Sequence, residues 1–135
     1  MRVMIDTNVI ISGILFPNSR PAEFLEKAFK NHTVVLCSYI IDELHRIFKL
    51  KFKEKFTDLE KYLSKFSYEL VYTPLKIKNE EYPNIRDKDD LPILASAINS
   101  DVDIIVTGDK AFFELNIEKP EILLPEEYLQ KYLDK

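Results

Sequence analysis

The hydrophobic residues of this chain follow two patterns: short runs that are apolar throughout, and longer stretches in which they recur at helical spacing. The runs predict five strands, at 2–6, 34–37, 70–72, 103–107 and 122–124. The stretches predict helices at 8–15, after Pro21, at 38–50 with Ser38 as the N-cap, and at 56–66, 90–100, 111–115 and 126–133. The segment 76–89 is polar and contains Pro83, which predicts a loop.

This alternation of strands and helices predicts an α/β fold. Strands that are apolar throughout are buried on both faces, and helices of this length can cross over from one parallel strand to the next. We therefore expect a three-layer α/β/α sandwich around a five-stranded parallel sheet. A length of 135 residues and a hydrophobic content of 46% fit one domain, residues 1–135.

Composition and charge narrow the classes of function. No apolar run approaches the roughly 20 residues of a membrane span, and no signal-peptide pattern opens the chain, so we expect a cytoplasmic protein without membrane contact. The single cysteine, Cys37, ends an apolar run, which predicts a buried thiol rather than a nucleophile. A net charge of −4 argues against a broad basic surface for phosphates, so any nucleic-acid role needs a local explanation.

Two aspartates follow predicted strands: Asp6 closes the first, and Asp109 comes just after the fourth. In open parallel sheets the loops and helix N-termini beyond the carboxyl ends of the strands form the functional crevice. Each aspartate also lies where a helix begins, and aspartate is a favoured N-cap residue. Taken singly, each residue fits the structural role as well as the functional one.

Glu43 lies on the predicted helix 38–50. Ile40, Leu44 and Ile47 form the core-facing stripe of that helix. At about 100° per residue, Glu43 falls about 60° from Ile40, at the edge of the stripe, whereas Asp42 points to the far side. We expect Glu43 to face inward and Asp42 to be solvated, although a boundary glutamate on a surface helix is also an ordinary structural feature.

Asp90 begins the predicted helix 90–100 and shares the core-facing side with Leu94. Burying a carboxylate without a partner costs several kcal/mol, so an inward aspartate indicates donors, a cation or a wet cleft. Pro92 fixes the helix start, because proline is tolerated in the first turn. We expect Asp89 to be the solvent-facing N-cap, and Asp87 to be a loop charge or an outer contact of the site.

Four converging carboxylates would repel one another unless cations offset their charge. The four predicted ligands are Asp6, Glu43, Asp90 and Asp109. Mg²⁺ and Mn²⁺ prefer carboxylate and water oxygens, and one or two such ions can activate water against a phosphodiester. Three nearby cations are candidate phosphate contacts: Arg46, Arg86 and Lys110. A metal that joins the acidic pocket to substrate phosphate reconciles the net negative charge with a nucleic-acid substrate.

The motifs that carry these acids resemble those of the PIN-domain family over nearly the whole chain. The segment Asp-Thr-Asn at 6–8 resembles the N-terminal motif of the family, and 38–46 resembles the helix that carries its glutamate. Residues 87–97, which include Asp-Asp-Leu-Pro-Ile-Leu-Ala-Ser-Ala, resemble its central acidic segment, and 106–110 its final acidic turn. Together these four motifs form a strong signal, although Asp-Thr-Asn alone would be a weak one.

The resemblance implies that the four acids form the active site, with Asn8 and Thr107 as supporting residues. Asn8 fits equally a hydrogen bond at the helix start. The resemblance also implies strand order 3-2-1-4-5. The closest subgroup is the toxin component of prokaryotic toxin–antitoxin pairs, VapC-like Mg²⁺-dependent ribonucleases that are commonly dimers. The partners expected from it are RNA, a second copy of the chain and a small antitoxin protein.

Three alternatives stand beside a toxin ribonuclease. A PIN nuclease that processes RNA would share the fold and the site, and a PIN domain that only binds nucleic acid or a protein would keep the acids without turnover. A phosphatase of the haloacid-dehalogenase type would also carry an aspartate after the first strand, but it needs a second aspartate where Asn8 stands. A homodimer is further suggested by apolar residues that one small domain need not bury: Phe48, Phe52 and Phe56.

Overall fold

The computed structural model describes residues 1–133 and contains one five-stranded parallel sheet in the order β3-β2-β1-β4-β5. The strands are β1 (Arg2–Ile5), β2 (Thr33–Cys37), β3 (Glu69–Val71), β4 (Ile104–Val106) and β5 (Glu121–Leu123). All five predicted strands are present within one or two residues of their expected bounds. The three-layer α/β fold and the order 3-2-1-4-5 are therefore confirmed.

Seven helices connect and follow the strands. They are α1 (Thr7–Leu15), α2 (Arg20–Asn31), α3 (Ser38–Lys51), α4 (Phe56–Lys65), α5 (Leu91–Asn99), α6 (Lys110–Phe113) and α7 (Pro125–Tyr128). A π-helical turn, Leu129–Leu133, continues α7, so the predicted terminal helix changes its winding halfway. Within residues 1–133, no helix has the length and apolar character needed to cross a bilayer.

The hydrophobic core lies on both faces of the sheet. Val3, Met4 and Ile5 are consecutive in β1 and point to alternate faces, yet all three are fully buried. The residues of β4 are buried in the same way. Helices must therefore cover both faces, as the apolar strands predict. Cys37 is fully buried at the end of β2, which confirms the predicted burial of its thiol.

Ser38 does not cap α3. The N-cap position is Cys37, and Ser38 is the first residue of the helix. Its hydroxyl oxygen instead accepts a hydrogen bond from the backbone N–H of Thr73, at 2.9 Å, and the Thr73 hydroxyl accepts one from the N–H of Tyr39, at 3.2 Å. The prediction was wrong because the Ser38 hydroxyl bonds to Thr73, which follows β3, and not to the backbone of its own helix.

The aromatic residues that suggested a dimer are largely accounted for inside the domain. Phe48 is fully buried in the core. Phe52 stacks obliquely against it with ring centroids 5.6 Å apart, and Phe56 packs against His45. Phe52 and Phe56 nevertheless stay partly exposed, so only Phe48 departs from the expectation, and the homodimer stays a prediction.

Candidate metal centre

Asp6 stands at the junction of β1 and α1, where it is 3% exposed. Its Oδ1 accepts a hydrogen bond from the N–H of Thr7 at 2.8 Å, and its Oδ2 accepts one from the Thr107 hydroxyl at 2.6 Å. Asp6 is thus both the N-cap of α1 and a buried charge. Burial raises the pKa of Asp6 to about 6, and the negative charges of Glu43 and Asp109 add to that rise, while the two hydrogen bonds oppose it.

Glu43 faces the same site from α3. Its Oε1 accepts a hydrogen bond from the Thr7 hydroxyl at 2.5 Å, so Thr7 binds Asp6 through its backbone and Glu43 through its side chain. Glu43 is largely buried, and the neighbouring Asp42 is exposed, as the helical phase predicts. Helices α1 and α3 are therefore joined through one threonine at the point where their two acids approach each other.

Asp109 is held at the end of β4 by the same kind of local geometry. Its Oδ1 accepts a hydrogen bond from the N–H of Ala111 at 2.9 Å, which makes it the N-cap of α6. Its own N–H donates to the Thr107 hydroxyl oxygen at 3.0 Å. Because Thr107 also donates to Asp6, this fully buried threonine ties the ends of β1 and β4 together.

Asp90 is a buried carboxylate, and one of its oxygens lacks a hydrogen bond within the described residues. It is 8% exposed, and its Oδ2 is buried without a hydrogen-bond partner in the described part of the chain. Burial raises the pKa of Asp90 to about 8, with the adjacent Asp109 the next cause and the charges of Asp6 and Asp87 after it. The pKa of Asp109 is lowered in turn by its contact with Asp90. The two carboxyl groups therefore titrate as a pair.

Asp87 joins this cluster more closely than the sequence indicated. Ligand oxygens of Asp87, Asp90 and Asp109 all lie within 4.8 Å of one another. Oxygens on opposite sides of one Mg²⁺ ion lie about 4 Å apart, since each bond is about 2.1 Å long. The three carboxylates therefore fit around one hard cation, and the unpartnered oxygen of Asp90 offers it a ligand.

The expected roles of Asp87 and Asp89 were partly wrong. A 3-10 turn, Lys88–Asp90, precedes α5, and its N-cap is Asp87, whose Oδ1 accepts a hydrogen bond from the N–H of Asp89 at 3.0 Å. Asp89 is exposed, as expected, but it is not a cap; the N-cap of α5 is Asp90, which makes no side-chain capping bond. A 3-10 turn has three residues per turn, so Asp87 and Asp90 point the same way.

The candidate phosphate contacts lie at the surface near these acids. The Nη2 of Arg46 is 3.8 Å from Glu43 Oε2, and the Nε of Arg86 donates to Glu114 Oε1 at 2.8 Å. Lys110 is exposed and makes no ion pair with the described residues. Asn8 is exposed in the first turn of α1 and makes no side-chain hydrogen bond within residues 1–133, so the helix-start hydrogen bond is not formed.

The comparison with protein families agrees with this arrangement. The profile described as PIN domain matches residues 2–111, a span that includes all four predicted acids and the strands β1 to β4. The chain belongs to the PIN domain family. This match decides against the dehalogenase-type phosphatase, which Asn8 had already weakened.

A relative in Methanocaldococcus jannaschii, "Uncharacterized protein MJ1680", is 27% identical over 152 residues, which cover 98% of this chain and 92% of that protein.

Two solved structures share the fold over most of the chain. One is the crystal structure of VapBC2 from Rickettsia felis bound to a DNA fragment from their promoter, with a TM-score of 0.66, 26% identity, and coverage of 91% of this chain and 97% of that chain. The other is the crystal structure of FitAcB from Neisseria gonorrhoeae, with a TM-score of 0.64, 22% identity, and coverage of 92% and 98%. The likeness thus extends over nearly the full length of each chain.

Proposed function

We propose that this protein is a Mg²⁺- or Mn²⁺-dependent endoribonuclease in which Asp6, Glu43, Asp90 and Asp109 form the active site. The observation that carries the proposal is the buried oxygen of Asp90, which has no hydrogen-bond partner and faces a cluster of like charges. Such a group is costly in a fold unless a cation offsets it. The membership of the chain in the PIN domain family supports the same conclusion.

A divalent ion supplies two things at such a site, a water of lowered pKa and positive charge against the phosphate. The chain supplies the positions of the ligands. Thr107 fixes Asp6 relative to Asp109, and Thr7 fixes Asp6 relative to Glu43, so hydrogen bonds hold three of the four carboxylates in position. Asp87 lies close enough to serve as a further ligand or to orient bound water. Arg46, Arg86 and Lys110 would contact substrate phosphate at the rim of the site.

The proposal is tested with purified protein and a labelled single-stranded RNA. We expect cleavage in Mg²⁺ or Mn²⁺, none in EDTA, and recovery when the metal is restored. A matched single-stranded DNA of the same sequence measures the preference for RNA. The absence of metal-dependent RNA cleavage, from a protein that circular dichroism shows to be folded, would leave a binding domain as the better account.

We further propose that the protein is the toxin of a toxin–antitoxin pair, with a small antitoxin as its partner. The solved structures that share its fold, VapBC2 and FitAcB, support this role, and VapBC2 was crystallised with promoter DNA. Production of the wild-type chain in a bacterial host should arrest growth, whereas the Asp6→Asn variant should not. Normal growth with an active, soluble wild-type enzyme would favour the RNA-processing alternative.

A homodimer is part of the proposal, and it rests on the resemblance to PIN toxins and on the partly exposed rings of Phe52 and Phe56. Light scattering between about 1 and 100 µM should give twice the mass of the 15.9 kDa chain. Monomer mass across that range would remove the dimer from the account without affecting the metal site.

A further inference from the structure

Two tyrosines, Tyr39 and Tyr72, follow the carboxyl ends of β2 and β3, the same edge of the parallel sheet at which Asp6 and Asp109 follow β1 and β4. In the parallel register Cys37 is paired with Val71, so the two chains leave the sheet side by side. Tyr39 follows in the first turn of α3, and Tyr72 follows β3. The reciprocal hydrogen bonds between Ser38, Tyr39 and Thr73 hold these two exits together.

Tyr72 is an unusually exposed aromatic residue for a small domain. It is 80% exposed, and Leu75, three residues further on, is fully exposed. A large apolar ring in that position has no partner within the described chain, and exposed apolar surface of this kind beside a functional site marks a contact surface. Its backbone neighbours are fixed by hydrogen bonds, so the ring is presented from a rigid support.

Tyr39 connects this surface to the acids. It lies four residues before Glu43 and seven before Arg46, so the three side chains fall within about 60° of one another around α3. Its hydroxyl makes no hydrogen bond to the described residues. Burial raises the pKa of Tyr39, and the charges of Glu43 and of the aspartates at 89 and 90 raise it further, which places the phenol at the rim of the carboxylate cluster.

We propose that Tyr39 and Tyr72 form a subsite for unpaired RNA, in which an extruded base stacks on Tyr72 and the Tyr39 hydroxyl donates to the ribose-phosphate backbone entering the metal centre. The proposal rests on the proposed ribonuclease function and names the part of the surface that holds the strand. A chain of net charge −4 has no overall excess of cations with which to bind a duplex by its phosphates. Stacking on aromatic rings binds any unpaired base without that charge, so single-stranded RNA is the favoured occupant.

The test measures the affinity of a fluorescent single-stranded RNA by polarisation, with Ca²⁺ in place of Mg²⁺, and KM and kcat for its cleavage in Mg²⁺. Tyr72→Ala should weaken binding and raise KM about five- to tenfold, as expected for one lost base stack, with kcat nearly unchanged. Tyr72→Phe keeps the ring and should bind like the wild type. For Tyr39 the hydroxyl matters, so Tyr39→Phe should itself raise KM.

Phe16→Ala is the matched control, because Phe16 is a 62% exposed aromatic residue at the far end of α1 from the acids, and its loss should leave KM unchanged. Unchanged KM and affinity in Tyr72→Ala would overturn the subsite. Cleavage of RNA by the wild type in the same assay would still support the ribonuclease function. A change of oligomeric mass in Tyr72→Ala without a change in KM would also overturn it, in favour of a protein contact. If the wild type neither binds nor cleaves RNA, both the function and the subsite fail.

Salt dependence gives an independent measure of the same contact. With about three phosphates neutralised, raising the salt concentration fourfold should weaken binding of single-stranded RNA only about 20-fold. A basic groove with six or more phosphate contacts would lose far more over the same range. A steep salt dependence that Tyr72→Ala does not alter would contradict the stacking subsite.

Discussion

Asp90 and Asp109 shift the pKa of each other's carboxyl group in opposite directions: the pKa of Asp90 is raised and that of Asp109 is lowered. The two residues are 19 positions apart in sequence: Asp90 lies in the turn before α5, and Asp109 follows the end of β4. Their proximity, in a place where Asp6 and Asp87 add further negative charge, makes the metal-free site sensitive to pH.

The metal-free protein should lose stability as pH rises. Asp6 and Asp90 have folded-state pKa values of about 6 and about 8, both above the ordinary 3.8 of an aspartate, so the folded state binds more protons than the unfolded state. The stability that these protons contribute is present below about pH 4 and is lost as pH rises through 6 and 8. Thermal unfolding in EDTA should therefore show a lower Tm at pH 8.5 than at pH 5.5.

Addition of Mn²⁺ should reverse that trend, because the ion binds the deprotonated carboxylates and stabilises the fold most where they are ionised. The Asp90→Asn variant should show a flatter pH dependence in EDTA, while Asp89→Asn keeps the wild-type dependence. A Tm in EDTA that rises from pH 5.5 to 8.5 would show that the buried acids are not protonated as described.

The Thr107 hydroxyl should stabilise the protein chiefly by its bond to ionised Asp6. Thr107→Val keeps the shape and removes the donor, which should cost about 2 kcal/mol of unfolding free energy in urea at pH 8. At pH 5, below the pKa of Asp6 at about 6, the cost should be smaller, since a hydrogen bond to a neutral carboxyl is weaker. An equal loss at both pH values would show that the bond accepted from the Asp109 N–H, and not the bond to ionised Asp6, accounts for the effect.

Asp87 should contribute to metal binding, although the sequence placed it outside the ligand set. Its carboxylate lies in the cluster with Asp90 and Asp109 and also caps the 3-10 turn. Asp87→Asn keeps an acceptor for that cap, so the fold should be preserved while affinity for Mn²⁺ falls about 10- to 100-fold, the range seen for residues that orient metal ligands. Isothermal titration with Mn²⁺ measures the change. If the Asp87→Asn variant binds Mn²⁺ as tightly as the wild type, Asp87 has only a structural role.

The strands and the sheet were predictable because a strand that is buried on both faces of a sheet needs a short run of consecutive apolar residues. Few other structures produce such a run. Asp90 was predictable for a related reason, since Pro92 fixes the start of α5 and places Asp90 on the side of Leu94. The inward position of Glu43 followed from the same helical phase. In each case the information is local, within one or two turns of the residue.

What could not be predicted depends on contacts between distant segments or on a change of helical winding. The sequence placed Asp87 in the loop before the helix, but the chain forms a 3-10 turn there that brings Asp87 close to Asp90. Likewise, the hydrogen bond between Ser38 and Thr73 links α3 to the segment that follows β3, and no local pattern in either segment predicts it. The burial of Phe48 is a tertiary contact of the same kind.

The most direct test of the four-carboxylate site is a Mn²⁺ titration of the wild type, Asp90→Asn and Asp89→Asn, followed by RNA cleavage at saturating metal. The two substitutions are chemically identical and fall on adjacent residues, one buried in the cluster and one exposed. Asp90→Asn should lower metal affinity and reduce cleavage about 100-fold or more, because it removes a ligand charge. Asp89→Asn should change both less than about twofold, as is usual for exposed substitutions. An inactive Asp89→Asn beside an active Asp90→Asn would contradict the account.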